Sequence, residues 1–327
     1  MRILLPIISR GAKGCCDMAR LNVYLPDELY DLANRWRGTL NLSEICARAL
    51  REELSAVESS RTTINLSNVV RKSSSREARL LHAFPLKETF VVEVSTRTSI
   101  RDELGAVAAS YLDRWLCDGS LLAIAGGRQT WSVIRNLSPR NVRLNIAALG
   151  YGQHDPVALH THSNTLLTLA WLLYAPRAQA HLVGSSKFKE LWQLSDKIEA
   201  VPKYFVVASC SKFLASSPFA ELLGKDVTNR LLDEGVAADF AYSFFRSNGR
   251  LVNVPIVAGV DQSVISAETL RRLSQRADAR VILIAGGTEK ASVAAWALKN
   301  KLCNTLIVDS ELADQLLVSR GGGANAD

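Results

Sequence analysis

Val281-Ile282-Leu283-Ile284-Ala285-Gly286-Gly287-Thr288-Glu289-Lys290 decides the reading of this chain: an unbroken aliphatic run ends in two glycines and enters a helical pattern that runs on to Asn300. The same order occurs earlier, where Leu121-Leu122-Ala123-Ile124-Ala125-Gly126-Gly127-Arg128-Gln129-Thr130 leads into a helix reaching Leu137. FVVEV (90–94), LNIAALG (144–150), AHLVG (180–184), YFVVAS (204–209) and NTLIVD (304–309) read as further buried strands. Between them, 101–118, 163–173, 217–234 and 266–276 read as helices. Strands without polar alternation, flanked by helices, predict an α/β domain whose mainly parallel sheet is covered on both faces.

Ligands of such sheets gather at the carboxyl ends of the strands, and both glycine pairs fall there. Glycine lets a ligand approach the backbone, and a helix start offers unpaired amides, which together suit a phosphate. Arg128 and Lys290 can add positive charge, and Thr130 and Thr288 hydroxyl donors. One glycine pair after a strand is more often only a tight turn. Two in one domain, each with a cation close behind, point to anion binding.

A different pattern stands near the start, in MARLNVYLPDELYDLANRWRGTLNLSEICARALREEL (18–54). From Arg20 to Leu25 apolar and polar residues alternate, placing Arg20, Asn22 and Tyr24 on one face of a strand. Pro26, Asp27 and Glu28 then open a helix through about Trp36, with Leu29, Leu32, Ala33 and Trp36 at helical spacing before Gly38. Ser43 opens a second helix with Ile45, Ala49 and Leu50 as its inner stripe. A unit of roughly 40 residues is at the edge of independent stability, and pairing its strand with a second copy would complete a core.

This order resembles the ribbon-helix-helix family of DNA-binding proteins. The resemblance implies that Arg20, Asn22 and Tyr24 read base edges in the major groove. It also implies that the helix start at Leu42 and Ser43, with Glu44, meets a backbone phosphate. An edge strand and helical hairpin without a nucleic-acid role is the alternative. Residues 1–17, with Ile3 to Ile8 and Cys15-Cys16, read as an upstream extension or disordered leader; translation can start at Met1 or Met18, and Pro6 interrupts any secretory-signal pattern.

The segment 87–317 resembles the sugar-binding effector domain of SorC/DeoR-type bacterial regulators, a relative of the Rossmann-type glucosamine-6-phosphate deaminase and ribose-5-phosphate isomerase fold. The landmarks are Asp118-Gly119 before LLAIAGGRQTWSVI, then LNIAALGYG, Asn164 opening a helix, DFAYSFFRSNG (239–249), and IAGGTEKASVAAWAL followed by NTLIVDSELADQLL. The resemblance implies phosphate contacts from Gly127, Arg128, Gln129 and Lys290, supported by Gly126, Thr130, Gly286, Gly287 and Thr288. It implies contacts to the rest of the ligand from Gly152, Gln153, Asn164 and Asp239. Three departures are visible: AGGRQT in place of a Ser-Trp-Gly-Arg-Thr-like run, YFVVASCS without glycines, and Ser243 and Arg246 around the paired Phe.

The expected organisation is therefore a leader (1–17), a ribbon-helix-helix head (18–54), a linker (55–86), an effector-binding and oligomerisation domain (87–320) and a disordered tail (321–327). At 327 residues and 48% hydrophobic composition the chain can bury a large core. No run approaches about 18 apolar residues, which argues against a membrane span. Six cysteines without CxxC spacing suggest reduced thiols in a cytoplasmic protein. The net charge is +7, and residues 1–80 carry thirteen Lys/Arg against nine Asp/Glu, which fits a phosphate-contacting head.

His160 and His162, two apart on an extended segment, with His154 and Asp155 nearby, have the spacing of a metal site but lack a cysteine or second carboxylate in register, and a loop near the effector mouth is the simpler reading. No catalytic set, metal or cofactor is expected. The expected partners are an operator in double-stranded DNA, a phosphorylated small-molecule effector and further copies of the chain, as a homodimer or homotetramer. Two rival functions remain: an isomerase or deaminase using Asp239, Asp261 or Glu289, and an antitoxin- or partition-type DNA binder whose large domain only oligomerises.

Overall fold

The computed structural model describes residues 66–94, 99–150, 162–182, 190–192, 202–215, 225–252 and 265–321. The chain divides into two units, Met1–Thr63 and Ile64–Asp327, and all described residues lie in the second. The expected ribbon-helix-helix head, with Arg20, Asn22, Tyr24, Leu42 and Ser43, lies outside the described residues, as do Gly152, Gln153 and Asp261.

In chain order the elements are α1 (Leu66–Ala83), β1 (Glu88–Val92), α2 (Ile100–Trp115), β2 (Leu121–Ile124), α3 (Arg128–Ile134), β3 (Asn145–Ala148), α4 (Ser163–Tyr174), β4 (Gln179–His181), β5 (Tyr204–Ala208), β6 (Cys210–Lys212), α5 (Lys225–Asp233), β7 (Val236–Phe240), β8 (Ser243–Arg246), α6 (Ala267–Gln275), β9 (Ala279–Ala285), α7 (Ala291–Lys299), β10 (Thr305–Asp309) and α8 (Ser310–Gly321). Seven strands form one sheet in the order β1-β10-β9-β5-β2-β3-β4, and every pairing in it is parallel. Alternate strand residues feed two cores. Leu121, Ala123, Val206, Val281, Leu283, Leu306 and Val308 pack on one face, and Leu122, Ile124, Phe205, Val207, Ile282, Ile284 and Ile307 on the other. Both faces are buried, which is why these strands lack polar alternation.

The expected linker differs from the structure. Its second half is the 18-residue helix α1, packed against β1 and α8. Leu80 is fully buried, Glu77 accepts a hydrogen bond from the Val91 N–H at 3.0 Å, and Arg76 grips both Asp314 carboxylate oxygens at 2.9 and 3.0 Å and Glu93 at 2.9 Å. Its Ser-rich middle weakens the helical pattern, and packing supplies the order that intrinsic propensity does not.

A second, antiparallel sheet, β6-β7-β8, follows directly from the end of β5 and packs against α7. The β7–β8 connection is a two-residue turn in which Ala241 and Tyr242 have φ of 49° and 64°. Tight hairpins demand this left-handed backbone and ordinarily take it from Asn-Gly or Gly-Gly, so Ala-Tyr carries no sequence signal for the turn.

Candidate functional site

Strand register brings the expected loops to one rim. Ile124 pairs with Val207, Ala208 with Leu283, and Ala285 with Val308, so β2, β5, β9 and β10 all end at the same edge of the sheet. β2 and β9 each neighbour β5, which sets the two glycine loops about 9–10 Å apart at two strand spacings.

In the loop after β2, Gly127 has φ 124° and ψ 159°, a backbone open essentially to glycine alone, and a Cβ placed on it would meet nothing within 4 Å. The next residue, Arg128, is exposed and makes no hydrogen bond or ion pair among the described residues. Thr130 is fully buried, and its hydroxyl has no partner among them. Gln129 points inward, its side-chain amide donating to the Arg101 carbonyl at 2.9 Å and so joining α3 to α2.

The loop after β9 is built otherwise. A Cβ on Gly286 would run into Ile100 and Leu104 of α2, so this glycine is a packing requirement. Gly287, at φ 89°, donates its N–H to the Asp309 carboxylate at 2.7 Å. Asp309 also accepts from Leu312 N–H at 2.9 Å, and so caps α8 while fixing the loop. Thr288 and Glu289 are exposed and Lys290 is half-buried.

Asp239 stands on β7 opposite Ser211, whose hydroxyl donates to it at 2.6 Å, while the Tyr242 N–H donates to it from the turn. Burial pushes this carboxyl up to about 7, partly offset by those two hydrogen bonds. The left-handed turn turns the Tyr242 ring toward the main sheet. A Cβ on Gly150 would strike that ring, and the Tyr242 hydroxyl is hydrogen-bonded to Ser163 and to the Gly126 backbone. Ser163, first residue of α4, donates in turn to the Gly150 carbonyl. Tyr242 therefore ties the loops after β2 and β3 to the start of α4, where Asn164 lies.

The rim thus gathers Gly126, Gly127, Arg128, Gly286, Gly287, Thr288, Lys290 and Asp239, with Gln129 and Thr130 beneath it. Asp309, Tyr242, Ser163 and Ser211 were not expected from the sequence; a charged residue closing the aliphatic run of β10 was the one available signal for Asp309. Among the described residues no group of three or more His, Cys, Asp or Glu could hold a metal, and His162 instead caps α4, its Nδ1 accepting from Asn164 N–H at 3.3 Å. Nor is any described helix long and apolar enough to cross a membrane.

Residues 69–318 match the model of the sugar-binding domain family. The chain belongs to this SorC/DeoR-type sugar-binding domain family. The deoxyribonucleoside regulator of Bacillus subtilis is 23% identical over 233 residues, covering 67% of this chain and 71% of its own. Among solved structures, the full-length sorbitol operon regulator SorC of Klebsiella pneumoniae superposes with a TM-score of 0.60 at 22% identity, covering 90% of this chain and all of its own. A DeoR family transcriptional regulator of Listeria monocytogenes reaches 0.57 at 17% identity, covering 75% of this chain and 99% of its own. At these identities the structural likeness speaks for the fold. By name these relatives are regulators: of deoxyribonucleosides, of the sorbitol operon and of transcription.

Proposed function

We propose that the chain is a cytoplasmic, ligand-responsive transcriptional regulator whose effector is a phosphorylated sugar or a similar phosphate-bearing metabolite. The observation that carries the effector is the loop after β2, where Gly127 opens onto free space beside an Arg128 without a polar partner. An exposed guanidinium held at a glycine loop is suited to a phosphate, which it can engage with two parallel hydrogen bonds. Lys290 supplies a second cation from the loop after β9, and Gly152, Gln153, Asn164 and Asp239 complete the contacts.

Output runs through a ribbon-helix-helix head. Arg20, Asn22 and Tyr24 read bases in an operator with paired half-sites, and Leu42 and Ser43 hold a phosphate. Two or four copies associate through the large domains, and the effector favours one arrangement of the heads by binding it more tightly.

The test uses the full chain with DNA fragments it selects from a random pool, and a panel of sugar phosphates. Asn22→Ala abolishes selective DNA binding and leaves sugar-phosphate binding intact, whereas Lys290→Ala does the reverse. DNA binding indifferent to every sugar phosphate that binds would refute the coupling. A panel that produces no melting shift at all would leave the large domain an oligomerisation module.

A further inference from the structure

Beside Lys290 the rim carries a carboxylate, Glu289, that a pure phosphate site would not. Glu289 folds back over its own loop, so that its carboxylate oxygens occupy the space where a side chain on Gly287 would begin. It is exposed and forms no ion pair among the described residues. Behind it, the Gly287 N–H is already committed to Asp309. Burial pushes the thiol of Cys210, the first residue of β6, up; Lys290 pulls it down, and Asp239 and Glu289 push it up, so all three charges are felt at the start of β6. A phosphate brought against Gly287 therefore meets the Glu289 carboxylate and finds the Gly287 amide spent, while Lys290 beside them stays available to the phosphate held by Arg128. The loop after β2 has the opposite character, with open space at Gly127 and a free Arg128.

We propose that the site has a direction: the effector is a sugar monophosphate, its phosphate on Arg128 at the loop after β2 and its hydroxyl-bearing end on Glu289 at the loop after β9, where Glu289 excludes a second phosphate. This rests on the effector reading above and narrows it. A carboxylate accepts hydrogen bonds from sugar hydroxyls, whereas a phosphate near neutral pH brings one and a half to two negative charges and little to donate. Specificity against the bisphosphate is then repulsive, which is how a small site can reject a ligand sharing most of its contacts.

The experiment is titration calorimetry of the full chain with three matched pairs: fructose 6-phosphate and fructose 1,6-bisphosphate, glucose 6-phosphate and glucose 1,6-bisphosphate, ribose 5-phosphate and ribose 1,5-bisphosphate. Every monophosphate that binds should do so at least about tenfold more tightly than its bisphosphate, the size expected of one like-charge contact in a partly desolvated cleft. Glu289→Gln should bring that ratio to about threefold or less through a gain in bisphosphate affinity, with an unchanged melting temperature since Glu289 is exposed. A bisphosphate bound as tightly as its partner by the unaltered chain, or a ratio that Glu289→Gln does not move, overturns the proposal and leaves the effector reading standing. If no member of either series binds, the sugar-phosphate form of the effector reading falls, and this inference with it.

Discussion

In the loop after β2 the glycine pair leaves Gly127 facing open space, whereas in the loop after β9 the matching pair is taken up by its neighbours. There α2 packs on Gly286, and Asp309 holds the Gly287 amide. The two segments share an Ile-Ala-Gly-Gly core, and nothing within either distinguishes a ligand cradle from a packing joint. What separates them is what arrives from elsewhere in the chain: Ile100 and Leu104 from one helix, and a carboxylate from the end of the next strand. Amides available to a ligand have to be counted after the protein has used its own.

The largest effect expected from this contrast is at the joint. Asp309→Ala strands the Gly287 and Leu312 amides, and the second is buried, so urea unfolding should show a loss of about 3 kcal/mol. A loss below about 0.5 kcal/mol would mean that water replaces the carboxylate and that the loop is less fixed than described. Next comes Gly286→Ala, whose added methyl group collides with α2 and should cost about 2 kcal/mol by overpacking. Trimming Ile100 to Ala in the same chain should restore part of it, and strict additivity of the two changes would break the packing account.

Arg128→Ala sharpens the other side of the comparison. It should weaken sugar-monophosphate binding by about 2 kcal/mol in calorimetry while stability stays within about 0.5 kcal/mol, because Arg128 is exposed and makes no internal bond. A pH dependence is expected from Asp239, at the rim between the loops. Its folded value is raised to about 7, so the folded chain keeps a proton that the unfolded chain releases near pH 4. Stability from this group is therefore full below about pH 4 and is lost as pH rises through 7. Thermal melts should show stability declining across that window, and Asp239→Asn should flatten the decline.

The sheet was legible because strands buried on both faces announce themselves as unbroken aliphatic runs, and VILIAGG, LLAIAGG and NTLIVD all became strands of the parallel sheet. Helix α1 carries the sequence of a linker, because three consecutive serines interrupt a stripe whose partners, α8 and β1, arrive only with the tertiary fold. The antiparallel sheet was missed for a related reason: β6 has three residues, and the Ala241–Tyr242 turn adopts its left-handed backbone without a glycine or asparagine to signal it. Of the site, the sequence exposed the glycines and cations, which are local. It hid Tyr242 and Asp309, whose roles depend on strand order.

The clamp between Arg76 and Asp314 also bears on how the chain is made. Its two halves are 238 residues apart, and among the described residues β1 beside it has only β10 for a hydrogen-bonding neighbour. At roughly 5–20 residues per second, about 10 to 50 s of translation separate the emergence of Arg76 from that of its partner. The first strand of this sheet leaves the ribosome long before its neighbour exists, and the domain closes only when its last helix arrives.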